Sequence, residues 1–194
     1  MANPAFGAIP IRTLSGKPIV SNRYYVPSTD STALFKGDFV GIVNAMDPKG
    51  EVGVIKALAN TGDAPIGVVV GFEPDPALPY TGHYRPASTN RYVLVCDDPD
   101  VVLAIQEDTL GNVVTQANIA LHTNCDVNIA TTAGSTATGL SGHMLDSSTA
   151  SASTAVLKIL GVYSDGNNVG AQTAGAILEV IILEHALRIA DSQT

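Results

Sequence analysis

The chain of 194 residues has no tryptophan, 5% aromatic residues and two cysteines. So few aromatic faces leave little material for gripping sugars. Cys96 and Cys125 show no Cys-x-x-Cys spacing. Cys96 ends an apolar run and reads as a small buried hydrophobe. Basic residues are also scarce: ten, scattered, against 18 acidic ones, for a net charge of −8. Phosphate binding needs a Lys/Arg patch, so free nucleic acid is not an expected partner. An acidic balance suits a solvent-facing surface instead. The longest apolar stretch, residues 176–183, is too short to span a bilayer as a helix and is broken by Glu179. The first residues lack a basic region followed by an apolar core. The expectation is a soluble chain made in a cytoplasm, with no membrane partner.

The signatures of chemistry are missing too. His83, His122, His143 and His185 stand far apart, none in a His-x-x-x-His or Glu-x-x-His pattern. A lone histidine in a loop reads as a solvated surface residue. There is no Gly-x-Ser-x-Gly elbow, and Gly67-Val-Val-Val-Gly71 runs into Glu73-Pro74 rather than a helix, unlike a dinucleotide fingerprint. Asp97, Asp98 and Asp100 are the one acidic cluster of interest, with Glu107 and Asp108 beyond. Hard oxygens at this density could hold Ca²⁺, but the spacing is not that of an EF-hand, and a turn capped by its own side chains is the preferred reading. The chain is therefore expected not to be an enzyme, with no catalytic, cofactor-binding or metal-binding residues assigned.

What the sequence does contain is Val, Ile, Ala, Gly, Ser and Thr, with 18 glycines and 11 prolines punctuating apolar runs. That is β-rich composition with many turns. Residues 85–108 anchor the reading. Two apolar runs, 92–96 and 101–105, flank Asp97-Asp98-Pro99-Asp100, which predicts a β-hairpin with its first strand in the middle of a sheet. Before it, short runs at 23–26, 39–44, 52–58 and 66–72 alternate with turn residues and predict a meander of strands. Residues 73–86, with Pro74, Pro76, Pro79 and Pro86, read as a surface loop pinned by Tyr80 and Tyr84. Residues 115–120 are ambiguous, a short helical turn or a bent link. Strands are expected at 123–130, 154–163 and 176–185, the last burying Ile177, Val180, Ile182 and Leu183. The Thr/Ser/Ala/Gly-rich stretch 131–153 reads as a long ordered loop with Leu140, Met144 and Leu145 as its anchor. Residues 1–23 are too proline-rich for a helix and too apolar for a free tail, so they predict an extended arm lying on its own domain or on a neighbour. The expected fold is all-β: an antiparallel sandwich or barrel, jelly-roll or β-tulip-like, with that arm, long loops and one domain over residues 24–190.

Arg91-Tyr-Val-Leu-Val, Asp97-Asp-Pro-Asp and Ile105-Gln-Glu-Asp resemble a family of tailed-bacteriophage virion proteins described as head decoration, cement or minor structural proteins. Met1-Ala-Asn-Pro-Ala-Phe-Gly, Tyr24-Tyr-Val-Pro-Ser-Thr-Asp, Leu34-Phe-Lys-Gly-Asp, Gly67-Val-Val-Val-Gly-Phe and Leu145-Asp-Ser-Ser-Thr are similar to it as well. The resemblance implies a protein of the outer capsid surface, assembled in the host cytoplasm, whose partners are the major capsid protein and itself, as a homotrimer or a dimer. Such a protein stabilises the shell by binding its assembled form. Phe6, Ile9, Ile11, Tyr24, Tyr80 and Tyr84 are the expected capsid or intersubunit contacts. Two other classes compete. A virion carbohydrate- or receptor-binding module could use Tyr80 and Tyr84 beside Glu73 and Asp75. An enzyme would need a site assembled only by the fold.

Overall fold

The computed structural model describes residues 5–77, 79–108, 123–129, 134–151, 155–163 and 175–188. Its strands are β1 (Ala8–Thr13), β2 (Asn22–Val26), β3 (Leu34–Phe35), β4 (Phe39–Met46), β5 (Gly53–Ala57), β6 (Gly67–Phe72), β7 (Tyr84–Arg85), β8 (Arg91–Cys96), β9 (Val101–Gln106), β10 (Asn124–Asn128), β11 (Met144–Ser151), β12 (Leu157–Val162) and β13 (Ile177–Ile182). Among the described residues the one helical element is a 3-10 turn, Pro79–Thr81. The fold is all-β. Strands β2-β5-β4-β6-β8 close into a barrel, and a second sheet runs β1-β9-β13-β12-β10-β11. Strands β3 and β7 form a separate small pair. The β2–β5 contact that shuts the barrel is parallel; the other strand pairs are antiparallel.

Alternation along the barrel strands feeds two cores. Val40, Ile55, Val69, Val93 and Val95 fill the barrel. Their neighbours Phe39, Val68 and Cys96 point outward and pack beneath the six-stranded sheet, against Leu103, Ile105, Leu178 and Val180. Strands buried on both faces need apolar residues at successive positions. That is why the meander reads as near-continuous apolar runs.

Both runs of the expected hairpin are strands, but they do not pair with each other. Strand β8 lies between β2 and β6, and β9 between β1 and β13. The segment 97–100 carries the chain from barrel to sheet. Asp98 accepts the Asp100 N–H through Oδ1 (2.9 Å) and the Val101 N–H through its carbonyl (3.1 Å). This bends the chain without setting a register. A tight two-residue hairpin needs positive φ in its turn, and no residue of 97–100 has it. Each strand, apolar on both faces, found its neighbours elsewhere.

The N-terminal arm resolves onto its own domain. Strand β1 is an edge of the six-stranded sheet, paired with β9 from Ala8↔Ile105 to Thr13↔Val101, with a bulge between Pro10 and Arg12. Proline and a bulge are common at edges, where a missing donor costs nothing internally. Strand β9 is buried along its whole length, so β1 is part of what keeps it dry. The chain before β1 crosses the turn before β4 at two glycines. Gly7 (φ 76°) and Gly37 (φ 92°) hold conformations that disfavour side chains. A Cβ on Gly37 would lie 2.8 Å from the Phe6 carbonyl oxygen.

The long loop expected at 131–153 contains an edge strand, β11, paired with β10, and Leu145 in it is fully buried. An edge strand with one core-facing anchor can otherwise be Ser and Thr, so no apolar alternation announced it. In β13 the buried residues are Leu178, Val180, Ile181 and Ile182; Ile177 is half-buried, as is Leu183, which lies just past the strand's end. The ambiguous stretch 115–120 lies outside the described residues.

Candidate functional site

The loop 73–86 is held by cations, not by Tyr80, which is 91% exposed. Arg91, buried, donates from Nη1 to the carbonyls of Thr81 (2.7 Å) and Tyr84 (2.8 Å) and from Nη2 to that of Glu73 (3.0 Å). Arg85, fully buried, donates to the carbonyls of Pro27 (2.8 Å), Asp30 (2.9 Å), Thr32 (2.6 Å) and Thr89 (2.8 Å). Tyr84 does help, stacking on Phe35 at 5.5 Å. Sequence reasoning missed both arginines: a scattered cation carries no mark of burial.

Beside this loop lies a cleft of about 270 Å³ lined by Tyr25, Glu73, Asp75, Asn90, Arg91 and Tyr92. Its groups are already engaged. The Arg23 guanidinium sits 3.7 Å over the Tyr92 ring, forms an ion pair with Glu73 at 2.7 Å and donates from Nη2 to Glu73 Oε2 at 3.2 Å. The Tyr92 hydroxyl donates to Asp47 Oδ2 at 2.7 Å, and this bond raises its pKa. Tyr80 and Tyr84 do not line the cleft.

Two histidines correct the expectation of solvated surface groups. His143 is largely buried between barrel and sheet. Its Nδ1 accepts the Phe39 N–H (3.1 Å) and its Nε2 lies 3.6 Å from Asp38 Oδ1. Asp38 also accepts the Phe35 N–H (2.7 Å) and a bond from Ser141. Burial pushes the His143 pKa down and the Asp38 pKa up. Serine, aspartate and histidine meet here, but not as a nucleophile–base pair. Ser141 bonds the carboxylate rather than the imidazole, and the acceptor nitrogen of His143 is spent on the backbone. His185 is buried where the end of β13 meets the barrel. Its Nδ1 accepts the Leu187 N–H (3.1 Å), and burial lowers its pKa. His83 lies against the Thr136 carbonyl, and His122 falls outside the described residues.

The acidic cluster is taken up by its own chain. Asp97 turns inward, accepting from Asn22 Nδ2 (2.9 and 3.0 Å) and from the Tyr24 hydroxyl (2.6 Å). Burial and that bond raise the Tyr24 pKa. Asp100 faces Arg188 at 3.8 Å, and Asp108 accepts from Asn128 (2.7 Å) and Ser147. Among the described residues no three His, Cys, Asp or Glu side chains converge as metal ligands. Cys96 and Cys125 are buried and free, and burial pushes the Cys125 thiol up to about 12, which keeps it protonated and inert.

The remaining feature is apolar. Nine large hydrophobic residues are exposed among the described ones, and four of them, Ile9, Leu14, Ile19 and Val20, fall within twelve positions of the N-terminal segment. Phe6 and Ile9 line a groove of about 240 Å³ with Pro10, Lys36, Val70 and Leu140. Of the expected contact residues the fold brings only Phe6 and Ile9 together. Ile11 is half-buried on β1, Tyr24 is tied to Asp97, and Tyr80 and Tyr84 lie in or beside the arginine-held loop. Lys36, Val70 and Leu140 come from distant parts of the chain, and nothing in the sequence connects them. No protein-family model, curated protein or solved structure matches this chain.

Proposed function

We propose that this protein is a bacteriophage capsid decoration or cement protein that binds the outside of the icosahedral head and bridges major capsid subunits, as a homotrimer. The observation that carries the reading is the exposed apolar residues gathered on the N-terminal segment, with Ile9 at 46% exposure beside an open groove. Monomeric surfaces rarely gather apolar side chains without a partner for them. A net charge of −8 suits a surface turned away from packaged DNA. Binding an assembled shell but not its dissociated subunits stabilises the shell by linkage, and bridging several subunits multiplies weak contacts. For the finer fold we favour β-tulip-like over jelly-roll, since a closed barrel abuts an open sheet. The test is co-sedimentation of the protein with empty expanded heads assembled from the capsid protein of the same genome. Saturable attachment at hundreds of copies per head, with a raised head melting temperature, is expected. No attachment refutes the proposal.

A carbohydrate-binding virion module is the second reading, favoured by the exposed ring of Tyr80, which lies in the same loop as Glu73 and Asp75 without lining their cleft. Loss of polysaccharide binding in Tyr80→Ala would support it.

A further inference from the structure

From the groove beside β1 we infer the chemistry of what fills it: an apolar side chain with a carboxylate next to it, presented by a segment of the shell protein. The identity of the partner rests on the function proposed above; the chemistry rests on the groove. At about 240 Å³ it is smaller than the roughly 300–1,000 Å³ of sites that enclose whole drug-sized ligands. It suits one side chain. Phe6, Ile9, Pro10, Val70 and Leu140 make apolar walls, and Lys36 is the one charged residue lining it.

Lys36 is fixed at the rim by its backbone. Its N–H donates to the Gly139 carbonyl and its own carbonyl accepts from Ser141, both at 2.9 Å. Its side chain is exposed, and the ion pairs found among the described residues do not include it. An ammonium beside an apolar slot selects a carboxylate flanking the inserted group. Of the other cations on the N-terminal segment, Arg12 is paired with Glu179 and Arg23 with Glu73, both at 2.7 Å, so Lys36 is the cation that the groove itself presents to an incoming carboxylate.

The groove works through side chains rather than strand addition. Pro10 offers no N–H, and the bulge before Arg12 breaks the edge register. This disfavours pairing of two β1 edges, the simplest way a second copy would dock.

Two probes test the inference. Acetyl-Glu-Leu-Glu-amide and acetyl-Lys-Leu-Lys-amide are titrated into the full-length protein, and amide NMR signals are followed. The acidic peptide is expected to shift Ile9, Lys36 and Leu140 and to bind about fivefold or more tightly than the basic one, with Lys36→Glu reversing the preference. Equal binding of the two peptides, or shifts elsewhere, overturns the inference. On heads, Ile9→Asp is expected to weaken attachment about tenfold or more and Lys36→Glu less, with the melting temperature of each variant near that of the parent. Should the parent attach and both variants attach equally well, the inference falls and the proposed function stands. Should the peptide preference hold while the parent ignores heads, the proposed function falls and the groove chemistry stands. If Ile9→Asp lowers the molecular mass in light scattering, the occupant is a second copy and the inference is overturned.

Discussion

The barrel and the six-stranded sheet share a core but end differently. The barrel closes on itself through β2 and β5 and leaves no edge. Its loops are drawn in by Arg85 and Arg91, whose donors fall on backbone carbonyls. The sheet stays open, with β1 at one edge and β11 at the other. The β1 edge carries exposed apolar side chains; the β11 edge is Ser, Thr and Asp around one buried leucine. Closed architecture satisfies a chain internally, whereas an open edge must be blunted or used. On strand β1, Pro10 and the bulge blunt the backbone, while Ile9 leaves an apolar side chain exposed.

That contrast can be broken at the arginines. Arg85→Ala leaves four carbonyls without their donor and is expected to cost about 3–5 kcal/mol, read from urea unfolding. Arg85→Lys should recover only part, because one ammonium cannot span the same fork. On the sheet side, Leu145→Ala is expected to cost about 2–4 kcal/mol. If it costs nothing, β11 is not part of the folded core.

Acid should act where sheet meets barrel. His143 and His185 are held neutral below their ordinary pKa. The unfolded chain therefore takes up protons that the folded chain refuses. Their stabilising contribution is complete above about pH 6.5 and is lost as pH falls from there to the depressed folded values. Groups nearby modify this. Asp38, with its pKa raised, acts in the opposite sense: its contribution is lost as pH rises through its folded value. Asp97 and Asp98 favour the charged form of His185, and Arg188 opposes it. The double variant His143→Asn, His185→Asn can keep an acceptor for the backbone N–H without titrating. Its melting temperature should fall less between pH 7 and pH 5 than the parent's. Equal slopes would remove the histidines from the account. The smallest effect is at the edge: Pro10→Thr restores a donor and should increase self-association in light scattering with little change in stability.

Most strands are legible in the sequence. Apolar runs separated by Asp, Pro and Gly identify β4, β5, β6, β8, β9, β12 and β13, because burial on one or two faces is written locally. Their partners are not. The Asp97–Asp100 turn looks like a hairpin whether its flanking strands pair together or part company. Strand β11 was hidden because an edge needs only Leu145 on the core. Tyr80 is exposed where the sequence predicts a pin, because a ring in a loop gives no hint of whether it is covered.

By itself the amino-acid order determined the all-β class, the acidic balance and an apolar, proline-rich N-terminal segment. These follow from composition and from spacing along one strand at a time. Tertiary structure alone decided that the segment becomes an edge strand, that β8 and β9 part into different sheets, and that Lys36 and Leu140 join Phe6 and Ile9 around one groove. Those outcomes depend on which distant strands pair, and pairing is settled by packing across the whole core rather than by neighbours in sequence.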